Sequence, residues 1–481
     1  MKSEELFSLL ISYIPQDQRA ALAERKQLLA HTIGSALFAD ISGFTQLTEN
    51  LKLAFGPRLG VEKLALQLNL VYDAIIAEVD RFGGSVLGFS GDAITCWFDQ
   101  ASTERPLPSK FETRAEFRAV ACAFALHQVL QQVEIMEVPG HERQTLSIKV
   151  AVSSGEVHRY LVGDPAIQVI DAAAGDTMLR MATAEKLANK GEVIADQATA
   201  HALDKYLEIT EWRSPSTEEA GARYALAAAL HTNVPTQPWP INSPSAFTND
   251  QARPWLLPAI FERLSTGQGE FLTELRPAVA LFLRFGGIDF DRDSDAGIKL
   301  GNYISWLQSV VKRYDGALIQ LTIGEKGCYL YIAYGAPVAH EDDPWRAAST
   351  ALELRSPPEQ FSYIHPIQIG ISQGTMRTGS YGSHTRRTYG VLGDDVNLAA
   401  RLMQTASHGQ ILVSERISKS LAESYTFQPL AAVQLKGKSK PVPVSLLLDK
   451  SETRPGEQRF TGSMVGRHAE LQELLQAAQP V

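Results

Sequence analysis

From residue 34 to about 208 the apolar positions change period repeatedly, from every second residue to every third or fourth. Ala36–Ile41 is an apolar run of strand length. Leu64, Leu68, Val71, Ile75 and Val79 mark one face of a helix predicted over 61–82, and Gly83-Gly84 stops it. Two short runs, 85–89 and 93–98, flank Ser90-Gly91-Asp92 and predict a hairpin. A helix is predicted over 117–133, followed by strands over 147–153 and 155–162 as hairpin partners. A helix over 176–188 and a strand over 192–195 complete the series. The order β-α-β-β-α-β predicts an α+β, ferredoxin-like unit: an antiparallel sheet backed by helices.

The same pattern then returns. Ser35–Phe44 has a counterpart in Ala278–Ile288, and Ser85–Phe98 in Gly316–Tyr331. Ser147–Val157 matches Pro366–Met376, and Lys190–Asp196 matches His408–Ser414. Counterparts lie roughly 220 to 240 residues apart and drift by loop-sized amounts, as two copies with different loops should. The predicted organisation is a helical lead-in over 1–33, a first unit over 34–214, a proline-rich connector over 215–270, a second unit over 271–448 and a tail over 449–481. Leu6, Leu9 and Leu10, then Leu22, Leu28 and Leu29, give the lead-in its helical spacing on either side of Pro15, and it is expected to pack on the first unit.

Composition narrows the class of partner. The 481 residues are 44% hydrophobic and 21% charged, with a net charge of −9. These values fit a globular chain and argue against a nucleic-acid or membrane-surface binder. The three cysteines, Cys96, Cys122 and Cys328, form no pair of metal-ligand or disulfide spacing. No apolar run approaches the roughly 18 residues of a spanning helix. A cytoplasmic protein is the expectation.

The first candidate for chemistry is Phe38–Thr45, reading FADISGFT. A strand ends in Asp40, the chain turns at Ser42-Gly43, and a helix starts near Thr45. A carboxylate at a strand end, beside backbone N–H groups at a helix N-terminus, suits a metal–nucleotide site. Taken alone, the same aspartate would serve equally as a helix cap. Asp92, in the hairpin turn, supplies a second strand-end carboxylate, and such a pair can hold two Mg²⁺ ions. At the matching places the second copy has Arg284 and Glu325. An arginine cannot ligate a cation. The second copy has instead Asn397 and Arg401, four apart on a helix in DDVNLAARLM, where the first copy has Leu179 and Thr183. An amide that can hold a sugar oxygen and a guanidinium that can meet phosphorane charge suit phosphoryl transfer. Alone they read as a cap and a surface ion pair. The complementary losses make sense if the copies pack head to tail and build one complete site and one degenerate site.

FADISGFT and SGDA in one half, with KGC and GVLGDDVNLAARLM in the other, closely resemble the class III nucleotidyl cyclases. The nearest group is the soluble, bicarbonate-responsive adenylyl cyclase type, with tandem cyclase domains ahead of an ATPase-like region; VGRHAEL in the tail resembles the start of that region. The resemblance implies two tandem cyclase domains in an intramolecular head-to-tail pseudo-dimer, a monomer that binds ATP. It implies that Asp40 and Asp92 bind two divalent cations, Mg²⁺ with Mn²⁺ or Ca²⁺ as alternatives, with the carbonyl of Ile41 helping. Asn397 would orient the ribose and Arg401 would stabilise the pentavalent phosphorus. Lys326 matches the lysine that contacts adenine, and Lys149 and Lys436 match positions that hold the triphosphate. Phe38, Ile41, Gly43, Phe44 and Thr45 would line the phosphate turn. The implied reaction converts ATP to cyclic AMP and pyrophosphate.

Two positions depart from the pattern. The second purine-reading position falls on Gly390, just before Val391, and glycine offers no side chain to the adenine amino group. In the degenerate pocket the expected lysine is Gly88, leaving Arg180 as the candidate ligand for bicarbonate. Competing expectations are a guanylyl or low-specificity cyclase and a silent nucleotide-binding pseudo-cyclase. A diguanylate cyclase is excluded because the turn reads SGDAI, without the GG[DE]EF pattern.

Overall fold

A computed structural model of the chain describes residues 3–100, 113–141, 144–215, 221–240, 247–267, 274–324, 327–434 and 441–451. The lead-in forms α1 (Ser3–Ile11) and α2 (Gln16–Ala23). The first unit contains β1 (His31–Ser42), α3 (Phe44–Arg81), β2 (Ser85–Ser90), β3 (Ala93–Asp99), α4 (Ala115–Gln132), β4 (Ser147–Val162), β5 (Ile170–Ala174), α5 (Asp176–Leu187), β6 (Val193–Asp196), α6 (Gln197–Ala202), β7 (Leu207–Arg213) and β8 (Tyr224–Leu230). The connector carries α7 (Asn249–Ala252) and α8 (Pro258–Ser265). The second unit repeats the series: β9 (Glu274–Phe285), α9 (Ala296–Arg313), β10 (Ala317–Gly324), β11 (Gly327–Tyr334), α10 (Asp343–Arg355), β12 (Ile367–Gly382), β13 (Arg387–Leu392), α11 (Asp394–Thr405), β14 (Ile411–Ser414), α12 (Glu415–Ser420), β15 (Tyr425–Pro429) and β16 (Val444–Lys450).

The two sheets have the same strand order, β2-β3-β1-β4-β6-β8-β7 and β10-β11-β9-β12-β14-β16-β15, with β5 and β13 attached to β4 and β12. The internal repeat read from the sequence is therefore a repeat of topology. Three local readings change. The residues 147–162 form one long strand, not a hairpin. Gly155 sits in it at φ 152° without reversing the chain, and the true antiparallel partner is β5. The helix expected over 61–82 and the one expected to start near Thr45 are one continuous element, broken only by Gly56 at φ 79°. The first sheet also gains β8 from inside the stretch read as connector, because Tyr224, Ala225 and Ala227 are buried against β6.

Each unit reaches into the other. The β4–β5 arm places Val162 and Ala172 in the apolar core of the second unit. The β12–β13 arm places Tyr381, with Leu392 packed beside it, in the core of the first. Polar contacts follow the same exchange. Gln308 on α9 receives the backbone N–H of Asp164 at 2.7 Å and donates to Gln168 O at 2.8 Å. On the other side His384 N–H donates to Asp73 on α3 at 2.9 Å. This is head-to-tail packing. The lead-in bridges the units: Gln16 and Asp17 bond the β2 edge at Val86 and Ser85, while Leu10 and Ile14 join α8 over the second sheet. At its centre Arg159, buried, pairs with Asp17 at 2.8 Å and with Asp171. Among the described residues no helix is long and apolar enough to cross a membrane.

Candidate active site

In β1 the side chains of Leu37, Ala39 and Ile41 point into the core, each at most 1% exposed. The two-residue period therefore puts Phe38 and Asp40 together on the opposite face. Asp40 lies across from Lys149 on β4 and Ala93 on β3, and Ile41 N–H donates to Asp92 O at 3.3 Å. The strand end and the hairpin turn thus bring Asp40 and Asp92 to one sheet edge. Gly43 closes the turn into α3 at φ 113°, where a Cβ would meet Leu146 at 2.9 Å, so only glycine fits.

The electrostatics of this edge are those of a pair short of positive charge. Burial raises Asp92 to about 6, and the charge of Asp40 adds to the shift. Asp40 is raised by burial and pulled back in part by Lys149, whose Nζ lies 3.3 Å from its Oδ2. Burial alone would lower Lys149, but Glu185 and Asp40 together hold it above the ordinary lysine range. Among the described residues no three His, Cys, Asp or Glu side chains form a metal cage. Two adjacent carboxylates, each destabilised as an anion by burial, fit a divalent cation that takes its remaining oxygens from phosphate and water.

In the second unit α11 follows directly on the β12–β13 arm, which packs on the first unit. Leu392, which ends β13 two residues before α11, packs on the core of the first unit. Tyr381 stacks edge-on against Phe89 at 5.6 Å and lies 5.9 Å from Tyr72, whose hydroxyl donates to Gly91 O at 2.9 Å beside Asp92. On α11, Asn397 is exposed and Arg401 half-buried, and the side chains of both have no partner among the described residues. The pattern of apolar residues had no way to indicate Tyr72, Phe89 or Tyr381 as the wall of the site. They join it only across the interface.

Several sequence readings move. Phe38 shares the face of Asp40, one strand period before it, and lines a cavity of ≈ 430 Å³ between the units. Ile41 and Phe44 have core side chains, 1% and 5% exposed, so only their backbone faces the turn. Val391 is fully buried, and its carbonyl accepts from Tyr331 at 3.1 Å. Gly390 is glycine for a packing reason: a Cβ there would meet the Tyr381 ring at 2.5 Å. Arg180 does not enter the cavity. It is one residue around the helix from Leu179, and it binds Asp196 at 2.7 Å, Ser154 O at 2.8 Å and Asp176. Gly88 does line the cavity, with open space where a side chain would project. Lys326, Lys436 and Glu325 lie outside the described residues, as does the side chain of Thr45 and the tail beyond residue 451.

Residues 299–447 match the family model described as the adenylate and guanylate cyclase catalytic domain. Adenylate cyclase type 10 of Rattus norvegicus is 24% identical over 444 residues, covering 87% of this chain and 27% of that protein. The Homo sapiens protein of the same name is 24% identical over 429 residues, covering 84% and 26%. The chain thus spans about a quarter of the length of these curated relatives. A solved class III adenylyl cyclase-like ATP-binding protein from Pseudomonas aeruginosa shares the fold, with a TM-score of 0.55 at 13% identity over 81% of this chain and 85% of that one. The second unit thus matches the adenylate and guanylate cyclase catalytic domain, and the chain's likeness to the type 10 enzymes runs through both units.

Proposed function

We propose that the chain is an adenylyl cyclase with one active site shared between its two units. One observation carries this reading. Asp40 and Asp92 share a half-buried edge of the first unit, while the side chains of Asn397 and Arg401, without partners among the described residues, lie on the helix that follows the arm packed on that unit, and we infer that this helix faces the edge. Neither half is complete without the other.

The chemistry follows from the parts. The ribose 3′-oxygen attacks the α-phosphorus, its proton leaves, the bond to the β-phosphate bridging oxygen breaks, and cyclic AMP and pyrophosphate separate. Asp40 and Asp92, with the carbonyl of Ile41, would hold the divalent cations. Bound there, these lower the pKa of the 3′-hydroxyl and neutralise the triphosphate. Asn397 holds the ribose so that the 3′-oxygen is in line. Arg401 meets the charge that grows on the equatorial oxygens. Lys149 is placed beside Asp40 with Glu185 to hold it there, so its ammonium is within the charged edge when the triphosphate arrives. Both halves lie in one chain, so a monomer suffices.

The cavity between the units does not favour an anion. Gly88 and Arg180 offer it no cation, and its wall sets Asp171 and Glu185 against Lys186 and Arg386, beside Phe38, Met178 and Met181. Bicarbonate is therefore left out of the mechanism.

The test is cyclic nucleotide formed from ATP and, separately, from GTP by the purified chain with Mg²⁺ or Mn²⁺. Cyclic AMP in clear excess is expected. Equal use of both would favour the low-specificity cyclase, and nucleotide binding without pyrophosphate release the silent regulator.

A further inference from the structure

Two arginines on the β12–β13 arm are buried, and they are treated very differently. Arg386 gives its donors to the carbonyls of Tyr13 at 2.9 Å, Val86 at 2.9 Å and Leu87 at 3.3 Å, and to Arg387. That is how a buried guanidinium is normally satisfied. Arg377 is 6% exposed, yet it has no hydrogen bond and no ion pair among the described residues, and its Nε is sealed from solvent without a partner. Its guanidinium carbon lies 5.7 Å from the centre of the Tyr381 ring. An uncompensated buried cation costs several kcal/mol. Nothing in the packing explains why the position keeps one.

Its position suggests a reason. Arg377 and Tyr381 share one face of β12, and Arg377 sits across from Leu392, two residues before the helix that carries Asn397 and Arg401. The charge of Arg377 reaches the hydroxyls of Tyr72 and Tyr381, and so does that of Asp92. Arg377 thus neighbours Tyr381, whose ring lies 5.9 Å from that of Tyr72, and the Tyr72 hydroxyl bonds Gly91 O beside Asp92. Tyr381, also buried, makes no hydrogen bond through its hydroxyl among the described residues. At the matching positions of the first unit, counted from Gly155 and Gly374, stand His158 and Val162. The polar pair therefore belongs to one arm only, the one that reaches the complete site.

We propose that Arg377, assisted by the Tyr381 hydroxyl, is a further nucleotide-contacting residue, a cationic donor that the second unit supplies to an acceptor group of the metal–nucleotide. The proposal rests on the shared-site reading, but binding tests it separately from turnover. The measurement is calorimetric binding of 3′-deoxy-ATP with Mn²⁺, which lacks the attacking hydroxyl, to the full chain and to Arg377→Met, Arg377→Lys and Tyr381→Phe. Arg377→Met is expected to weaken binding about 10- to 100-fold, with the Lys variant recovering part and Tyr381→Phe losing about threefold. The apolar methionine removes a desolvation cost, so its thermal midpoint should not fall. A folded Arg377→Met that binds within twofold of the parent overturns the proposal, as does a lowered midpoint with unchanged affinity. Should the Met variant not fold, unchanged affinity in both the Lys and Phe variants overturns it. A parent that binds 3′-deoxy-ATP but makes no cyclic AMP from ATP defeats the cyclase reading and leaves this one to the affinities. A parent that does not bind it defeats both.

Discussion

Where β1 presents Asp40 to Lys149, β9 presents Arg284 to Gln368, whose Oε1 it bonds at 3.0 Å. Where α11 exposes Asn397 and Arg401, α5 has Leu179 and Thr183, and the Thr183 hydroxyl turns back onto the Leu179 carbonyl at 3.1 Å. The two units have one strand order and opposite chemical content. A duplicated fold supplies two equivalent clefts at its interface. On the proposed reading, carboxylates on one copy and donors on the other would finish one cleft and empty its twin. The cavity between the units, which we assign to that twin, is lined by Phe38, Met178 and Met181 together with Asp171 and Glu185. The scaffold therefore sets where chemistry can occur, and a few strand-end and helix-face residues decide in which of two places it does.

The sharpest way to break this comparison is to remove one member from each unit. Asp40→Ala and Arg401→Ala should each lower cyclic AMP formation by about a hundredfold or more, although they lie on different copies. Steady-state rates at saturating ATP and metal decide it. Activity surviving either change would return the site to a single unit.

The anchoring of the units also differs. The first is tied to the lead-in by ions: burial pushes Asp17 up, but Arg159 and the Ser85 hydroxyl more than offset this and hold it below the usual carboxylate range. At the place of Arg159 the second arm has Thr378, and the lead-in meets that unit through Leu10 and Ile14. Asp17→Asn should cost about 3 kcal/mol, since it strips a partner from a buried guanidinium. The sign with pH follows from the lowered value. The contribution is complete above about pH 4, the ordinary carboxylate range, and is lost as pH falls through the folded value. Chemical denaturation at neutral pH and in acid should show the parent and variant converging in acid.

A smaller effect of opposite direction is expected at the metal edge. Asp92 is raised to about 6 by burial and by Asp40, so its charge destabilises the metal-free fold at neutral pH. Asp92→Asn should stabilise the metal-free chain by about 1–2 kcal/mol while removing metal-dependent turnover. A thermal midpoint that falls instead would mean that the carboxylate has an unseen structural partner.

Much of this was legible in the chain itself. The repeat, the strand-end aspartates and the Asn397–Arg401 spacing are local patterns, and local patterns survive translation into sequence. The misreadings share a cause. Gly155 carries a glycine's turn signal, yet the residues around it stay paired with β1, from His31 opposite His158 to Ser42 opposite Ser147, and that ladder overrides the local preference. Ile41 and Phe44 were assigned by their neighbours in the chain, whereas their side chains belong to the core and only their backbone faces the turn. Tyr72, Arg377 and Tyr381 come from segments separated by roughly 300 residues and have no shared motif, so only the packed interface brings them together.

The least effect is expected in the emptied cleft. An anion there would need a cation, and the cations on the described wall, Lys186 and Arg386, stand among Asp171 and Glu185. Gly88 has no side chain, Arg180 is held by Asp176 and Asp196, and Arg386 is consumed by backbone carbonyls. Turnover measured at fixed pH and ionic strength should therefore not change as bicarbonate replaces chloride. Gly88→Lys sharpens the comparison, because the space beyond its Cα is open and a lysine there would put positive charge beside Glu185 and Asp171 in the same cavity. If bicarbonate activates the parent chain, Lys186 supplies the positive charge despite Asp171 and Glu185. If it activates only the lysine variant, the difference between an emptied cleft and a regulated one comes down to a single side chain.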